Sequence, residues 1–389
     1  MKASKIELHD FRQFAGLEIP FASRLNVFVG INGSGKTSVL DATAKMLSWC
    51  IRRLVAPAGG GSGAPLDERD IRNGAAGASI SLEAQWGNQP VFWTLSKTRK
   101  GGPSGESKSN LKDLTEFARD LLSSERPWKL PVLAGYTVNR AVLDVPLRIK
   151  THHEFEFHEA YEHAFDGTPN FRTFFEWFRE NEDLENERKV HAMEHGLDPG
   201  PAISALTAVT GALEAFLPGF RHWCIRRSPL RMEVRKGPDV LDIRQLSDGE
   251  KNLMALVGDL ARRMAMLYCG RDGNALAGQG VVLIDEIELH LHPAWQRSVL
   301  QRLLATFPNL QFIVTTHSPL VLAQLNTLLY KQQAVGNFAG RAIDVFSLAD
   351  GHVSSMLDPK TGLLMAGEMD SIANEVDEEF DRLLNGDSP

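Results

Sequence analysis

The sequence predicts an α/β fold organised on a parallel sheet, with an antiparallel β region before it and a helical segment inserted into it. Three observations carry that expectation. Gly30-Ile31-Asn32-Gly33-Ser34-Gly35-Lys36-Thr37 fits the phosphate-loop pattern G-x-x-x-x-G-K-[ST] without mismatch, between the apolar run Leu25-Asn26-Val27-Phe28-Val29 and a helical run at residues 38–49. Two further apolar runs, Val281-Val282-Leu283-Ile284 and Phe312-Ile313-Val314-Thr315-Thr316, have the length and continuity of strands covered on both faces. Near the N-terminus and across residues 79–98, apolar residues recur with the period of two that marks strands with one buried face.

With 389 residues, 43% hydrophobic and 23% charged, the chain can bury a large core in one or two domains. A net charge of -7 argues against wholesale attachment to nucleic acid and leaves room for a local basic face. Cys50, Cys224 and Cys269 are far apart and form no C-x-x-C pair, which suggests neither a zinc knuckle nor a disulfide framework and fits a reducing cytoplasm. No run approaches the roughly 18 consecutive apolar residues of a membrane span, and the first residues lack the apolar core of a signal peptide. The expectation is a cytoplasmic chain with no membrane partner.

In chain order, Lys5-Ile6-Glu7-Leu8-His9 and Leu17-Glu18-Ile19-Pro20-Phe21 alternate as strands joined through Phe11-Arg12-Gln13-Phe14. In the phosphate loop, glycines let successive N–H groups turn inward around the β- and γ-phosphates, Lys36 supplies a point charge and the Thr37 hydroxyl ligates Mg²⁺. Asn32, Gly33, Ser34, Gly35 and Ser38 complete the cradle, with the dipole of the following helix facing the anion. ATP and Mg²⁺ are the expected cofactors. The glycine-rich residues 58–65 read as a surface loop, because no Lys-Ser/Thr follows to make a second phosphate site. Ile80, Leu82, Ala84 and Trp86, then Val91, Trp93 and Leu95, alternate around Gly87-Asn88 as a hairpin that delivers Lys97, Arg99 and Lys100 into Gly101-Gly102-Pro103.

From about residue 110 the period becomes helical. Phe171, Phe174, Phe175 and Phe178 form one apolar stripe, read as core, followed by the acidic Glu180, Glu182, Asp183, Glu185 and Glu187, so residues 151–218 read as a helical insertion. His152, His153, His158 and His163 lack the helical register with a flanking acid that a metal site needs, and read as surface or packing residues. Leu230-Arg231-Met232-Glu233-Val234-Arg235 and Val240-Leu241-Asp242-Ile243 alternate as strands. Arg221, Arg226, Arg227, Arg231, Arg235 and Lys236 form a basic cluster with two readings: a DNA or RNA face, or a solvated strand face whose partners lie in the acidic insertion.

The remaining chemistry sits at strand ends. Gly278-Gln279-Gly280 opens the strand that delivers Asp285-Glu286, where Asp285 can hold the Mg²⁺ shell and Glu286 can orient and deprotonate a water. Leu246-Ser247-Asp248-Gly249-Glu250-Lys251 precedes a helical run at residues 252–266, where Ser247 and the free N–H groups of the helix start make either an anion-binding end or an N-cap with an acidic first turn. His317 follows the second apolar strand and can donate to a γ-phosphate.

This order of motifs resembles the ABC-type ATPase heads of the RecF, SMC and OLD-like group. The resemblance covers roughly residues 1–100 and 225–350 and implies an ABC-type head with an antiparallel β subdomain and an inserted helical subdomain. It further implies that Ser247 and Gly249 act on ATP held by a second protomer, in a homodimer that can assemble further, that His317 is the switch histidine, and that residues 288–293 occupy the D-loop position. His290 and His292 then need no metal. A narrower resemblance rests on Phe174-Phe175-Glu176-Trp177-Phe178-Arg179, Glu182-Asp183-Leu184-Glu185-Asn186-Glu187 and Ile-Asp-Glu-Ile-Glu-Leu-His-Leu-His-Pro-Ala-Trp-Gln. These look like the RecF-like ATPases that include PtuA, the ATPase subunit of Septu anti-phage systems, and imply an HNH-type nuclease partner in defence or DNA repair, with no nuclease activity in this chain. No clear Q-loop is present, and residues 136–140 are its candidate. The expected divisions are 1–110, 111–220, 221–365 and an acidic amphipathic tail at 366–389, whose Ile372, Val376, Phe380 and Leu383 can line one helix face. A transporter ATP-binding subunit is the alternative, disfavoured by the long insertion and by L-S-D-G-E-K. An SMC-like clamp is a weaker one, because no heptad run of coiled-coil length occurs.

Overall fold

β1 (Lys2–Phe11), β2 (Phe14–Pro20), β4 (Gly77–Trp86) and β5 (Gln89–Thr98) form an antiparallel sheet in the order β2-β1-β4-β5. Their alternation puts Ile6, Leu8, Ile80, Leu82, Trp93 and Leu95 in the core and their polar neighbours toward solvent. The helix after the phosphate loop, α1 (Lys36–Val55), packs on this sheet, and Trp93 Nε1 donates to the Met46 carbonyl at 3.1 Å. Against α1 and β5 lies α2 (Lys112–Ser123), whose Phe117 ring meets Trp86. The computed structural model describes residues 1–56, 62–100, 108–123, 130–138, 157–167, 171–198, 204–268, 274–335, 342–349 and 351–365.

The second sheet is built from β3 (Leu25–Val29), β6 (Val132–Tyr136), β10 (Gly280–Ile284), β11 (Leu310–Thr316), β12 (Ile343–Ala349) and β13 (His352–Ser355). Its order is β13-β12-β3-β11-β10-β6, parallel throughout except for β13. Every residue of β3, β10 and β11 is buried, which accounts for their mostly apolar sequences. Gln311, one of the buried polar residues in these strands, fuses the sheets: its side chain accepts from Ala3 N at 2.7 Å and donates to the carbonyls of Ala3 and Ala22 at 2.8 Å each.

Residues 132–136 correct the expectation of a helical stretch across 111–220. Val-Leu-Ala-Gly-Tyr has no alternation and suits a helix equally well, so its pairing with β10, Val132 opposite Gly280 through Tyr136 opposite Ile284, decides its conformation.

The helical insertion supplies α3 (Phe171–Glu194) and α4 (Ser204–Phe216), followed by the antiparallel sheet β7 (Phe220–Arg227), β8 (Leu230–Lys236) and β9 (Asp239–Asp242) and by α5 (Asp248–Tyr268). Phe171, Phe174, Phe175 and Phe178 are core as expected, and Phe174 lies where a Cβ on Gly258 of α5 would fall at 2.9 Å. β7 had no counterpart in the sequence reading, and it takes up much of the basic cluster. Arg221 pairs with Glu214, Arg226 and Arg231 with Glu233, Arg227 with Glu182 and Asp183, and Lys236 with Glu250. Glu182 also accepts from Ile225 N at 3.2 Å, closing the β7 edge. Arg221 and Arg227 thus find partners in the insertion, as the second reading expects, whereas Arg226, Arg231 and Lys236 pair with Glu233 and Glu250 outside it. Arg99 donates to the carbonyls of Ile71, Arg72 and Ala75 at the end of the hairpin.

α6 (Pro293–Gln296), α7 (Val299–Thr306) and α8 (Pro319–Val335) complete the C-terminal part. A buried charge cluster ties α5 to β6. Asp259 accepts from Tyr136 Oη, Arg263 Nε and Arg262 Nη2, each at 2.8 Å, and Arg263 Nη1 donates to the Ala160 carbonyl at 2.6 Å. Burial alone pushes the Asp259 carboxyl up, but the guanidiniums of Arg263 and Arg262 outweigh it and hold it at about 2. Among the described residues no three or more His, Cys, Asp or Glu side chains cluster as a metal site, and no helix is long and apolar enough to cross a membrane. His152, His153, Cys269, Asn139, Arg140 and the expected tail helix at 366–384 lie outside the described residues.

Candidate nucleotide site

The carboxyl ends of three adjacent strands build the site, where open α/β sheets place ligands. β3 runs into Gly30, β11 into His317, and β10 into Asp285 and Glu286, with β11 between the other two. Gly30, Gly33 and Gly35 have φ of 152°, 82° and 104°, so the loop turns through conformations that favour glycine, and α1 begins immediately after it at Lys36. Side chains then link the strand ends. Thr37 Oγ1 donates to Asp285 Oδ2 at 3.0 Å, Thr315 Oγ1 donates to Asp285 Oδ1 at 2.5 Å, and Glu286 N donates to Thr315 Oγ1 at 2.7 Å. Glu286 itself has φ of 47°, a conformation uncommon for a side-chain-bearing residue, at the point where the chain leaves the strand.

Lys36 is buried, and its Nζ donates to the carbonyls of Gly30 at 2.5 Å and Ile31 at 2.8 Å. Burial lowers its pKa below the ordinary value, opposed by the negative charges of Glu286, Asp285 and Glu288. The adjacent Thr37 and Asp285 oxygens are the hard donors that suit Mg²⁺. The residues present therefore fit the magnesium nucleotide that the motifs imply.

Sequence reasoning missed three contributors. The β1–β2 turn leans on the phosphate loop: Gln13 Nε2 donates to the Gly33 carbonyl at 3.4 Å, Ser38 Oγ donates to Gln13 Oε1 at 3.3 Å, and a Cβ on Gly35 would lie 2.1 Å from Gln13 Nε2. Arg12, at φ of 50°, is held there by Asp41 at 2.8 Å and Asp70 at 3.2 Å. An arginine and an amide between two phenylalanines at a strand junction were the available signal. Thr315 hides within an apolar strand and gives no signal. Glu288 lay in the segment assigned to the D-loop, but its carboxylate reaches His317, accepting from His317 N at 2.8 Å.

Ser247 and Gly249 lie on a separate surface. Ser247 caps α5 in a reciprocal box, its N–H donating to Glu250 Oε2 at 2.8 Å and its Oγ accepting from Glu250 N at 3.4 Å. A Cβ on Gly249 would fall 2.6 Å from the His290 carbonyl oxygen, so only glycine permits this close approach of α5 to the segment before α6. Asn252 Nδ2 donates to the Leu289 carbonyl at 3.1 Å and fastens the same contact. The resulting groove is lined by Ser247, Gly249, His290, His292 and Trp295 and by no residue of the phosphate loop. His292 Nδ1 accepts from Ala294 N at 3.2 Å and starts α6. On the other side of Asp285, whose N–H donates to the Tyr136 carbonyl at 2.8 Å, the chain leaves β6 through Thr137 and Val138, the described beginning of the candidate Q-loop.

The chain matches known proteins in sequence and in fold. Residues 25–323 match the family model described as "AAA domain, putative AbiEii toxin, Type IV TA system". The chain is 32% identical to the retron Ec83 probable ATPase of Escherichia coli, over 82% of this chain and 69% of that protein. It is 45% identical to the Septu protein PtuA of Bacillus mycoides (strain KBAB4), over 21% of this chain and 11% of that protein. Among solved structures, an SMC head bound to the C-winged helix domain of ScpA superposes with a TM-score of 0.51 at 17% identity, covering 93% of this chain and all of that one, a likeness of fold. The chain therefore belongs to this AAA-domain family and is an ABC-type ATPase of the RecF/SMC-like kind.

Proposed function

We propose that this ATPase closes as a dimer around ATP and uses that closure to control a separate effector, an HNH-type nuclease, in anti-phage defence. Relatives with retron and Septu names support the defence setting. The observation that carries the dimer reading is the separation of the signature groove, lined by Ser247 and Gly249, from the phosphate loop of the same chain. A γ-phosphate held by Lys36 would then meet the Ser247 hydroxyl and the start of α5 from a second protomer.

In this reading Asn32 to Ser38 cradle the phosphates, and Lys36 exchanges its carbonyl partners for phosphate oxygens. Thr37 and Asp285 would hold Mg²⁺, which supplies charge neutralisation at the β- and γ-phosphates. Glu286 accepts the proton of the attacking water as its oxygen bonds to the γ-phosphorus and the bond to the β–γ bridging oxygen breaks, giving ADP and phosphate. His317 faces the γ-phosphate from the end of β11.

The test uses Glu286→Gln, which should bind ATP and accumulate as a closed dimer with turnover lowered by about 10²–10⁴-fold. Lys36→Ala should weaken ATP binding, and mixing it with Ser247→Arg should restore about one intact composite site per mixed dimer. Normal turnover in Glu286→Gln would remove the base assignment. A mixture that stays inactive although mixed dimers form would remove the trans arrangement.

A further inference from the structure

We propose that Glu288 is a positioning residue for His317: it fixes which imidazole nitrogen faces the nucleotide and ties that ring to the signature-bearing surface. The inference rests on the reading of His317 as the residue that meets the γ-phosphate.

Four observations carry it. Glu288 is only 5% exposed, on a segment that leaves the site, whereas the His317 side chain is about half exposed. One carboxylate oxygen grips His317 twice: Oε1 accepts from the backbone N–H at 2.8 Å and stands 3.1 Å from ring Nδ1. Backbone and ring held by the same atom leave the imidazole little freedom about its side-chain torsions. The other oxygen, Oε2, is buried with no hydrogen-bond partner among the described residues, an arrangement that costs stability and that a loop staple alone does not require. Finally, Glu288 opens the segment that also carries the Leu289 carbonyl bound by Asn252 and the His290 carbonyl packed on Gly249.

The chemical consequence follows from the donor count of an imidazole. A carboxylate oxygen 3.1 Å from Nδ1 favours hydrogen on that nitrogen, so the neutral ring carries it on Nδ1 and turns Nε2 toward the nucleotide edge. Without that carboxylate the ring would revert to the Nε2–H tautomer that free neutral imidazole favours and would rotate freely. A shift of residues 289–292 when a second protomer meets the signature groove would move Glu288 and, through it, His317.

Nitrogen-15 correlation spectra of histidine-labelled protein without nucleotide report the tautomer directly, with the His317 signals identified by their absence from His317→Ala. The expected result is Nδ1–H in the wild type, retention of Nδ1–H in Glu288→Gln, whose carbonyl oxygen can still accept from the backbone N–H and face Nδ1, and the Nε2–H form in Glu288→Ala. In turnover assays Glu288→Ala should lower kcat by about tenfold or more with ATP affinity changed less than about threefold, Glu288→Gln should recover much of that loss, and Glu288→Ala with His317→Ala should be no slower than His317→Ala alone. An unchanged tautomer in Glu288→Ala, or losses in kcat that add, would overturn the proposal. If Glu288→Ala does not fold, an Nε2–H ring in the wild type or in Glu288→Gln overturns it equally. Normal turnover in His317→Ala, alongside the expected tautomers, would instead remove the nucleotide role of His317 and leave the Glu288 contact standing.

Discussion

Replacing Asp259 by Asn tests whether the α5–β6 junction is held by one buried carboxylate. In the wild type its two oxygens accept three hydrogen bonds, from Tyr136, Arg262 and Arg263, while both arginines are about 1% exposed. An asparagine offers one acceptor. Turned to keep Tyr136 and Arg263, it points its amide hydrogens at the Arg262 guanidinium, and turned the other way it loses two bonds. In either orientation two buried cations lose their only close negative charge shown by these contacts, and breaking such a pair costs roughly 3–5 kcal/mol. With a urea m-value of about 3–5 kcal/mol per M for a chain of this size, the unfolding midpoint should fall by about 1 M. Acid provides a second reading. The folded-state pKa of about 2 lies below the ordinary 3.8, so the unfolded chain binds the proton more readily and the contribution is complete above pH 3.8 and lost as pH falls through about 2. That difference corresponds to about 2 kcal/mol, and the gap between wild type and Asp259→Asn should narrow by this order across the same window. Urea titrations followed by circular dichroism at several pH values measure both. A midpoint within about 0.2 M of wild type at neutral pH, against the roughly 1 M expected, would refute the argument.

Thr315→Val keeps the shape of the β11 residue but removes the hydroxyl shared by Asp285 and Glu286 N; kcat should fall by about 10–100-fold with nucleotide affinity nearly unchanged, and equal losses in both would mean that the loop itself had moved. Gly249→Ala places a Cβ against the backbone oxygen of His290, which cannot yield as a side chain would; it should cost about 1–3 kcal/mol of stability and abolish ATP-driven dimerisation while leaving ATP binding by the single chain intact, as sedimentation and nucleotide titration would report. Reversing Arg226 and Arg227 to Glu should weaken the junction of β7 with α3 yet change any DNA affinity and its salt dependence little, because these guanidiniums already face Glu233, Glu182 and Asp183; a steep loss of DNA affinity would restore the nucleic-acid reading of this strand.

Local spacing determined much of this protein. A phosphate loop needs glycines, a lysine and a hydroxyl at fixed offsets along one short stretch, and strands buried on both faces must be apolar, so Gly30 to Thr37 and the strands ending at Asp285 and His317 were legible without coordinates. The antiparallel hairpin was equally plain, because one solvated face forces alternation. Tertiary structure decided what depends on pairing across distance. Val132–Tyr136 is a strand because β10 offers it hydrogen-bonding partners, and Arg226, Arg227 and Arg231 are paired surface residues because β7 and β8 bring them to Glu182, Asp183 and Glu233. Thr315 and Glu288 carry no local signature, since a single hydroxyl or carboxylate acquires its role only from the atom that the fold sets about 3 Å away. Sequence thus specified the groups that any phosphate site must contain, and the fold chose the partners that hold them, because hydrogen-bond geometry is a property of positions in space and motif spacing is a property of positions along the chain.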